Sequence, residues 1–336
     1  MPVHLYSTFT NRTFILQKQN KSDKRMKYLI IADAIDTLDR SHDSSIGMMQ
    51  AIQQRDGEIW VCEPRHLYRM QSAVHAQAMR ISINHNEGSW YRPLEKNTIS
   101  LATFDIILMR KDPPYNMPYI YTTHLLQHAI AENVLVSNHP QALRDINEKS
   151  VLGLFTDLTT DFLISAELNR LQHYIDSNKD CVIKALDSMG GQSVQRLRAN
   201  QDNTAAILAL TQKETTPVMV MPYIDAITNG DTRVIIINGK VCRYGYKRTP
   251  PTGNLLANIA AGGIGAVVEL NARQREIGAK VAEFCLQQNI HLAGIDVIGD
   301  YLTEINITSP TCLREIEQET GETLCQDYIA GLEAIR

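Results

Sequence analysis

Lys184 stands inside an otherwise apolar run, Cys181-Val182-Ile183-Lys184-Ala185-Leu186, directly before a loop containing Ser188, Gly190, Gly191 and Ser193. A buried ammonium is costly unless an anion meets it. Glycines let a backbone fold closely over a phosphate. One reading of the pair is therefore a phosphate cradle, and the other is a plain hairpin closed by a Gly-Gly turn. Further along, Gly294 to Asn306 reads as two short strands joined by a Gly-Asp turn, with acidic and amide groups in place of apolar ones. Glu304 and Asn306 are two apart, so on a strand they leave one face. Asp296 joins that face if the turn has an odd count, such as Gly299-Asp300-Tyr301; a two-residue turn puts it on the other. Three such oxygens suit a hard cation such as magnesium, which takes few protein ligands and completes its shell with phosphate and water. A solvated surface hairpin is the alternative.

Three other segments have chemistry-bearing residues. Arg110-Lys111-Asp112-Pro113-Pro114 follows an apolar strand, and two cations at a strand end suit a carboxylate-bearing substrate. A solvated turn would look the same. Ser309-Pro310-Thr311-Cys312-Leu313-Arg314 reads as a helix start, with Ser309 as cap and Pro310 at the first helical position. Helix starts attract anions, although a plain capped helix fits equally. Finally, Pro250 to Gly265 is small and Gly-rich, as suits either a mobile lid over water-sensitive chemistry or a long surface loop.

Regular elements must position these groups. From Met26 to about Glu148, apolar strands at 27–33, 58–63, 104–109 and 133–137 alternate with helical stretches, one of them opening after Asp43-Ser44-Ser45. That order predicts an open, mostly parallel α/β sheet. From residue 149 the strands 181–186, 218–223, 233–237, 241–246 and the 294–306 hairpin, with a helix at 272–288, predict a largely antiparallel α+β region. Residues 1–25, basic and without sustained periodicity, are expected to be a disordered extension.

Composition narrows the class. The 336 residues exceed one ordinary core, so two or three packed units are expected. A formal charge of −4 gives no reason to expect nucleic acid or an anionic membrane as partner. No apolar run approaches a membrane span. The six cysteines are scattered with no C-x-x-C, which argues against a zinc site or disulfide framework and fits a reducing cytoplasm. There is no G-x-G-x-x-G in the first half, no H-E-x-x-H and no G-x-S-x-G elbow. A strand lysine, a Gly-rich loop, a lid and an acid-acid-amide hairpin together are the parts that hold Mg-ATP without a Walker A sequence.

Four strings resemble bacterial glutathione synthetases, members of the ATP-grasp ligase superfamily: 107–114, 143–149, 184–191 and 302–317. The likeness runs from about Met26 to Glu319. It implies a Rossmann-like substrate-binding domain over 26–148, followed by a two-part ATP-grasp domain. The first part is 149–225, and the second is 226–336 with a lid near 249–265. It implies ATP- and Mg²⁺-dependent (Mn²⁺ serving as well) ligation of γ-glutamylcysteine with glycine through an acyl phosphate. By correspondence Lys149 and Lys184 bind nucleotide, with Gly190, Gly191 and Ser193 in the phosphate loop. Met221, Pro222, Tyr223 and Ile224 pass the adenine, and Asp231 lies near the ribose. Arg233 and Arg248, with Lys184, act at the transferred phosphate. Asp296, Glu304 and Asn306 match metal ligands. Arg110, Lys111, Asp112, Ser309, Thr311 and Arg314 are assigned to the small-molecule substrates. A cytoplasmic homo-oligomer, dimer or tetramer, is implied as well.

The chain departs from the family pattern at some positions. Leu256-Ala257 replaces an Arg-Gly pair in the lid, Ile264 an Arg, Ser188 a Gly, and Ser41-His42 a Lys pair. Lost lid cations open two alternatives: an ATP-grasp ligase with a different acceptor amine, and an ATP-binding regulatory protein.

Overall fold

Short β-branched and apolar runs build the centre of the first unit, and Asp43 starts its first helix by accepting the Ser45 N–H. The computed structural model describes residues 25–84, 89–188, 191, 193–251 and 263–336. The expectations for residues 1–24, for Gly190 and for the 252–262 part of the lid lie outside the described residues.

The elements of the first unit are β1 (Lys27–Ile31), α1 (Ser44–Gln54), β2 (Glu58–Cys62), β3 (Leu67–Met70), β4 (Ala73–Ile83), β5 (Tyr91–Ser100), β6 (Ile106–Met109), α2 (Met117–Ala131), β7 (Leu135–Ser137) and α3 (Pro140–Asp145). They form a seven-stranded sheet in the order β3-β4-β2-β1-β6-β7, with β5 paired to β4. The β2-β1-β6-β7 part is parallel, as the alternation of strand and helix predicts. The β3-β4-β5 part is antiparallel and was not foreseen. Its β5 is exposed nearly throughout and contains Pro93, so it has neither the alternation nor the propensity by which strands are recognised.

Two antiparallel sheets follow. The first comprises β8 (Leu163–Ser165), α4 (Leu168–Asn178), β9 (Asp180–Ala185), β10 (Gln195–Arg198), α5 (Thr204–Leu210) and β11 (Val218–Pro222), in the order β10-β9-β11-β8. The second comprises β12 (Asp231–Ile237), β13 (Lys240–Thr249), β14 (Ile264–Glu269), α6 (Ala272–Gln287), β15 (Leu292–Ile298) and β16 (Tyr301–Asn306), in the order β14-β13-β12-β15-β16. Two helices, α7 (Leu313–Thr320) and α8 (Leu324–Ile335), close the chain, and α8 packs on α1 of the first unit.

Two sequence expectations need correction. Helix α7 begins at Leu313, not at Ser309-Pro310. Cys312 takes a left-handed φ of 78°, and the Pro310 carbonyl accepts from Arg110 Nη2 at 2.9 Å, so 309–312 is held as a non-helical link. The hairpin turn between β15 and β16 has two residues, Gly299 and Asp300, since Ile298 pairs with Tyr301. Asp296 nevertheless faces Glu304, because a bulge at Thr303 adds one residue to β16 and restores the register.

No helix among the described residues is long and apolar enough to cross a membrane.

Candidate active site

Strand alternation builds the site. In β9, Cys181 and Ile183 enter the small core beneath α4, so Val182 and Lys184 turn to the opposite face and line a cavity of about 350 Å³. In β12, Asp231 and Arg233 face the same space, and in β15 so do Asp296 and Ile298. The register sets an ordered row of charges across the second antiparallel sheet. Arg248 on β13 lies opposite Asp231, and Arg233 lies opposite Asp296, which lies opposite Glu304. Gly294 lies opposite Asn306, and a Cβ there would meet Arg233 Cδ at 2.8 Å, so the bare backbone gives the guanidinium its space.

The row is paired internally. Arg248 grips Asp231 with Nε–Oδ1 at 2.8 Å and Nη2–Oδ2 at 2.6 Å, and its Nη2 also reaches Asp296 Oδ1 at 3.0 Å. Arg233 grips Asp296 with Nε–Oδ1 at 2.6 Å and Nη2–Oδ2 at 3.1 Å. These four residues keep only 6–8% of their surface exposed. Burial alone would raise the Asp296 carboxyl, but the Arg233 and Arg248 charges more than offset this and hold it below the usual carboxylate range. Asp231 goes the other way: burial raises it despite Arg248.

The lysines stand where anions would be met. Lys184 Nζ donates to the Thr303 carbonyl at 2.9 Å, an oxygen that the bulge turns toward it. Burial lowers its ammonium to about 8, although Glu304 acts to raise it. Lys149 Nζ bridges Glu304 Oε1 at 2.9 Å and the Ser188 carbonyl at 2.7 Å, tying the end of β9 to the hairpin. Ser193 Oγ accepts from the Ala185 N–H at 3.0 Å and bonds Ser188 Oγ, so both serines brace the loop, while Gly191, with φ 77°, lines the cavity. Met221, Pro222, Tyr223 and Ile224 line one end. Arg196, unrecognised in the sequence, lies over the Tyr223 ring at 3.4 Å while paired to Asp180 at 2.8 Å and 2.5 Å.

A divalent metal fits part of this set. Glu304, Asn306 and Asp296 present oxygens on one face, and no cluster of three or more His, Cys, Asp and Glu side chains exists among the described residues. Glu304 and Asn306 suit a cation that draws its remaining ligands from phosphate and water. Asp296 is already engaged by both guanidiniums and by Asn306 Nδ2 at 3.3 Å.

The proposed substrate residues divide. Asp112, Ser309 and Thr311 line the cavity. Arg110 sits behind the wall, donating to Ser45 Oγ at 3.2 Å and to the Pro310 carbonyl. Lys111 pairs with Asp33 at 2.8 Å, and Arg314 packs against Gly47 of α1. Sequence reasoning missed Glu148, Thr308 and Cys312, which also line the cavity. The position of Glu148 in Asn147-Glu148-Lys149, just past the parallel sheet's last helix, was the available signal.

The family model for the prokaryotic glutathione synthetase N-terminal domain matches residues 26–144, and that for its ATP-grasp domain matches 148–321. The chain belongs to the prokaryotic glutathione synthetase family. It is 38% identical to the glutathione synthetase of Buchnera aphidicola over 313 residues, covering 92% of this chain and 98% of the relative. With that of Pseudomonas putida it shares 39% over 289 residues, 86% of this chain and 91% of the relative. Among solved structures, a D-cycloserine synthetase superposes with TM-score 0.63 at 11% identity, covering 93% of this chain and all of that one. A D-alanyl-alanine synthetase A from Vibrio cholerae gives 0.58 at 14%, covering 92% and 98%. The likeness to these last two is one of fold. With the family comes an ATP-dependent carbon–nitrogen ligase that uses a divalent metal.

Proposed function

We propose that this ligase joins γ-glutamylcysteine to glycine, giving glutathione, ADP and phosphate. The observation that supports it most is the meeting of Lys149, Lys184, Gly191, Arg233, Arg248 and Glu304 in one cavity, in a chain related over nearly its whole length to glutathione synthetases. The dipeptide carboxylate attacks the γ-phosphate, releasing ADP and forming an acyl phosphate. The acceptor amine then attacks the acyl carbon, and phosphate leaves. Phosphoryl transfer spreads charge over the moving oxygens, so catalysis is chiefly placement beside cations. Lys184 and Lys149 hold the nucleotide phosphates, Arg233 and Arg248 face the transferred group, and Met221 to Ile224 with Tyr223 form the adenine wall. Glu304 and Asn306, with Asp296 behind them, would hold Mg²⁺, or Mn²⁺ in its place, and the cation would supply charge neutralisation at the phosphates. No side-chain nucleophile is required.

The site's enclosure matters because an acyl phosphate hydrolyses in water. Ile264, 72% exposed where the family pattern has Arg, favours a second reading with a different acceptor amine. A cytoplasmic homo-oligomer is proposed on the family resemblance, and sedimentation checks the assembly. The deciding assay follows phosphate release from ATP, Mg²⁺ and γ-glutamylcysteine with and without glycine. Glycine-dependent release with glutathione formed is the expected result. Release only with longer amines selects the second reading, and nucleotide binding without release under any condition sinks both.

A further inference from the structure

Glu148 is a carboxylate in the wall of the reaction cavity with no cation of its own. Its Oε1 accepts from Thr308 Oγ1 at 2.8 Å and from the Ile307 and Thr308 N–H groups at 3.3 and 3.4 Å. Its backbone carbonyl accepts from the Ile305 N–H at 2.9 Å, so residue 148 is fixed against β16. Among the described residues nothing bonds Oε2, and no lysine, arginine or histidine forms an ion pair with this side chain. The neighbouring Lys149 turns to Glu304 and Ser188 instead. Asp112 lines the same cavity and likewise has no cation partner among the described residues, because Lys111 is taken by Asp33. A small recess adjoins the main cavity here, and Pro113, Glu148, Ser188 and Thr308 line both.

Elsewhere in the site each deeply set carboxylate has its partner: Asp231 and Asp296 their arginines, Glu304 its lysine. An unpaired carboxylate in a cavity wall is expensive and becomes favourable when a ligand brings the missing positive charge. We propose that Glu148 is the receiving group for a primary ammonium of a bound substrate. This rests on the ligase reading and adds a subsite to it. The carboxyl is raised by burial and by the Glu304 charge, as suits a group awaiting a cation. Two ammonium groups fit the chemistry: the α-ammonium of a γ-glutamyl donor and the amine of an amino-acid acceptor. Glu148 would then act by positioning, with its Oε1 bonds keeping the carboxylate fixed while Oε2 meets the ammonium.

The test is a binding measurement on the full chain loaded with a non-hydrolysable ATP analogue and Mg²⁺, so it needs no turnover. Calorimetry compares γ-glutamylcysteine with glutarylcysteine, which lacks the α-ammonium, and glycine with glycolate. For one of these pairs the wild type should prefer the ammonium-bearing member by about tenfold or more, the scale of a charge-assisted hydrogen bond. In Glu148→Gln that preference should collapse toward onefold while affinity for the ATP analogue stays at the wild-type level. The pair that shows the effect identifies which ammonium is received. The inference is overturned if the wild type has no preference in either pair, a result independent of whether any variant folds. It is equally overturned if Glu148→Gln, or Glu148→Met where the glutamine variant fails to fold, keeps the full preference. Failure of the ligase reading is seen separately, as absent phosphate release.

Discussion

The two antiparallel sheets that line the cavity are built on opposite electrostatic plans. The β8–β11 sheet contributes one charge, Lys184, and rests on a small core of its own that includes Leu171, Ile175, Cys181 and Ile207. The β12–β16 sheet contributes Asp231, Arg233, Arg248, Asp296 and Glu304, and its apolar residues share clusters with the first unit on both faces: Ile236 with Trp60 and Phe104, Ile235 with Ile30 and Met48. One wall is a lone ammonium awaiting an anion, and the other is already paired: Asp231 and Asp296 with their arginines, and Glu304 with Lys149 from outside the sheet. On the proposed ligase reading, Lys184 is the cavity cation that meets an anionic ligand without a carboxylate partner of its own, while Arg233 and Arg248 meet it from a frame of pairs already made.

The largest effect that would break this comparison comes from the paired wall. Asp296→Asn leaves Arg233 and Arg248 without their shared carboxylate, and removing one partner of a buried pair costs about 3–5 kcal/mol. Denaturant unfolding should show that loss; a change under 1 kcal/mol would mean the network is not a frame. Next comes Gly294→Ala. Its new Cβ would fall 2.8 Å from Arg233 Cδ, so overpacking should cost about 1–3 kcal/mol. Phosphate release should fall with it as the guanidinium is displaced, and an unchanged rate would show that the row tolerates a shift.

The lone-charge wall should respond with the opposite sign. Lys184→Met removes an ammonium that burial penalises, so the variant should be more stable than the wild type at pH 7 while its KM for ATP rises. The sign with pH follows from the lowered value. Below about 8 both folded and unfolded wild type hold the lysine proton, and the full penalty is present. Between about 8 and the ordinary 10.5 only the unfolded chain does, so the wild type's stability relative to the variant rises with pH and the gap closes. Unfolding at pH 7 and pH 10 reads this directly; a gap that stays constant contradicts it. The smallest effect is a proton count: near pH 8, binding of an ATP analogue should take up a fraction of a proton, measured by calorimetry in buffers of different ionisation heat. That uptake should vanish in Lys184→Met.

Much of this architecture is legible in the amino-acid sequence. Lys184 interrupts an apolar run, and a strand's period of two sets it on the face opposite Ile183, so a phosphate cradle is one of the two readings the sequence offers and the cavity lies on that face. The parallel core β2-β1-β6-β7 was legible for the same reason, as continuous apolar runs separated by helical stretches. The bulge at Thr303 was not, because a one-residue register change leaves no trace in residue type when both candidate turns contain Gly299 and Asp300. The link at 309–312 misled because Ser-Pro signals a helix start locally, whereas a tertiary bond from Arg110 decides the outcome. Arg196 and Glu148 escaped notice since an isolated charged residue gains meaning only from its neighbours in space: a tyrosine ring for one, an absent cation for the other.

The account depends on Glu304 and Asn306 holding a metal against a triphosphate that also reaches Lys184. A crystal of the protein with a non-hydrolysable ATP analogue and Mn²⁺, measured at the manganese absorption edge, tests this directly. The predicted result is an anomalous peak within bonding distance of Glu304 and Asn306 side-chain oxygens, with phosphate oxygens in the same shell and near Lys184 Nζ. Manganese and nucleotide lodged elsewhere, with Glu304 still paired only to Lys149, would contradict it.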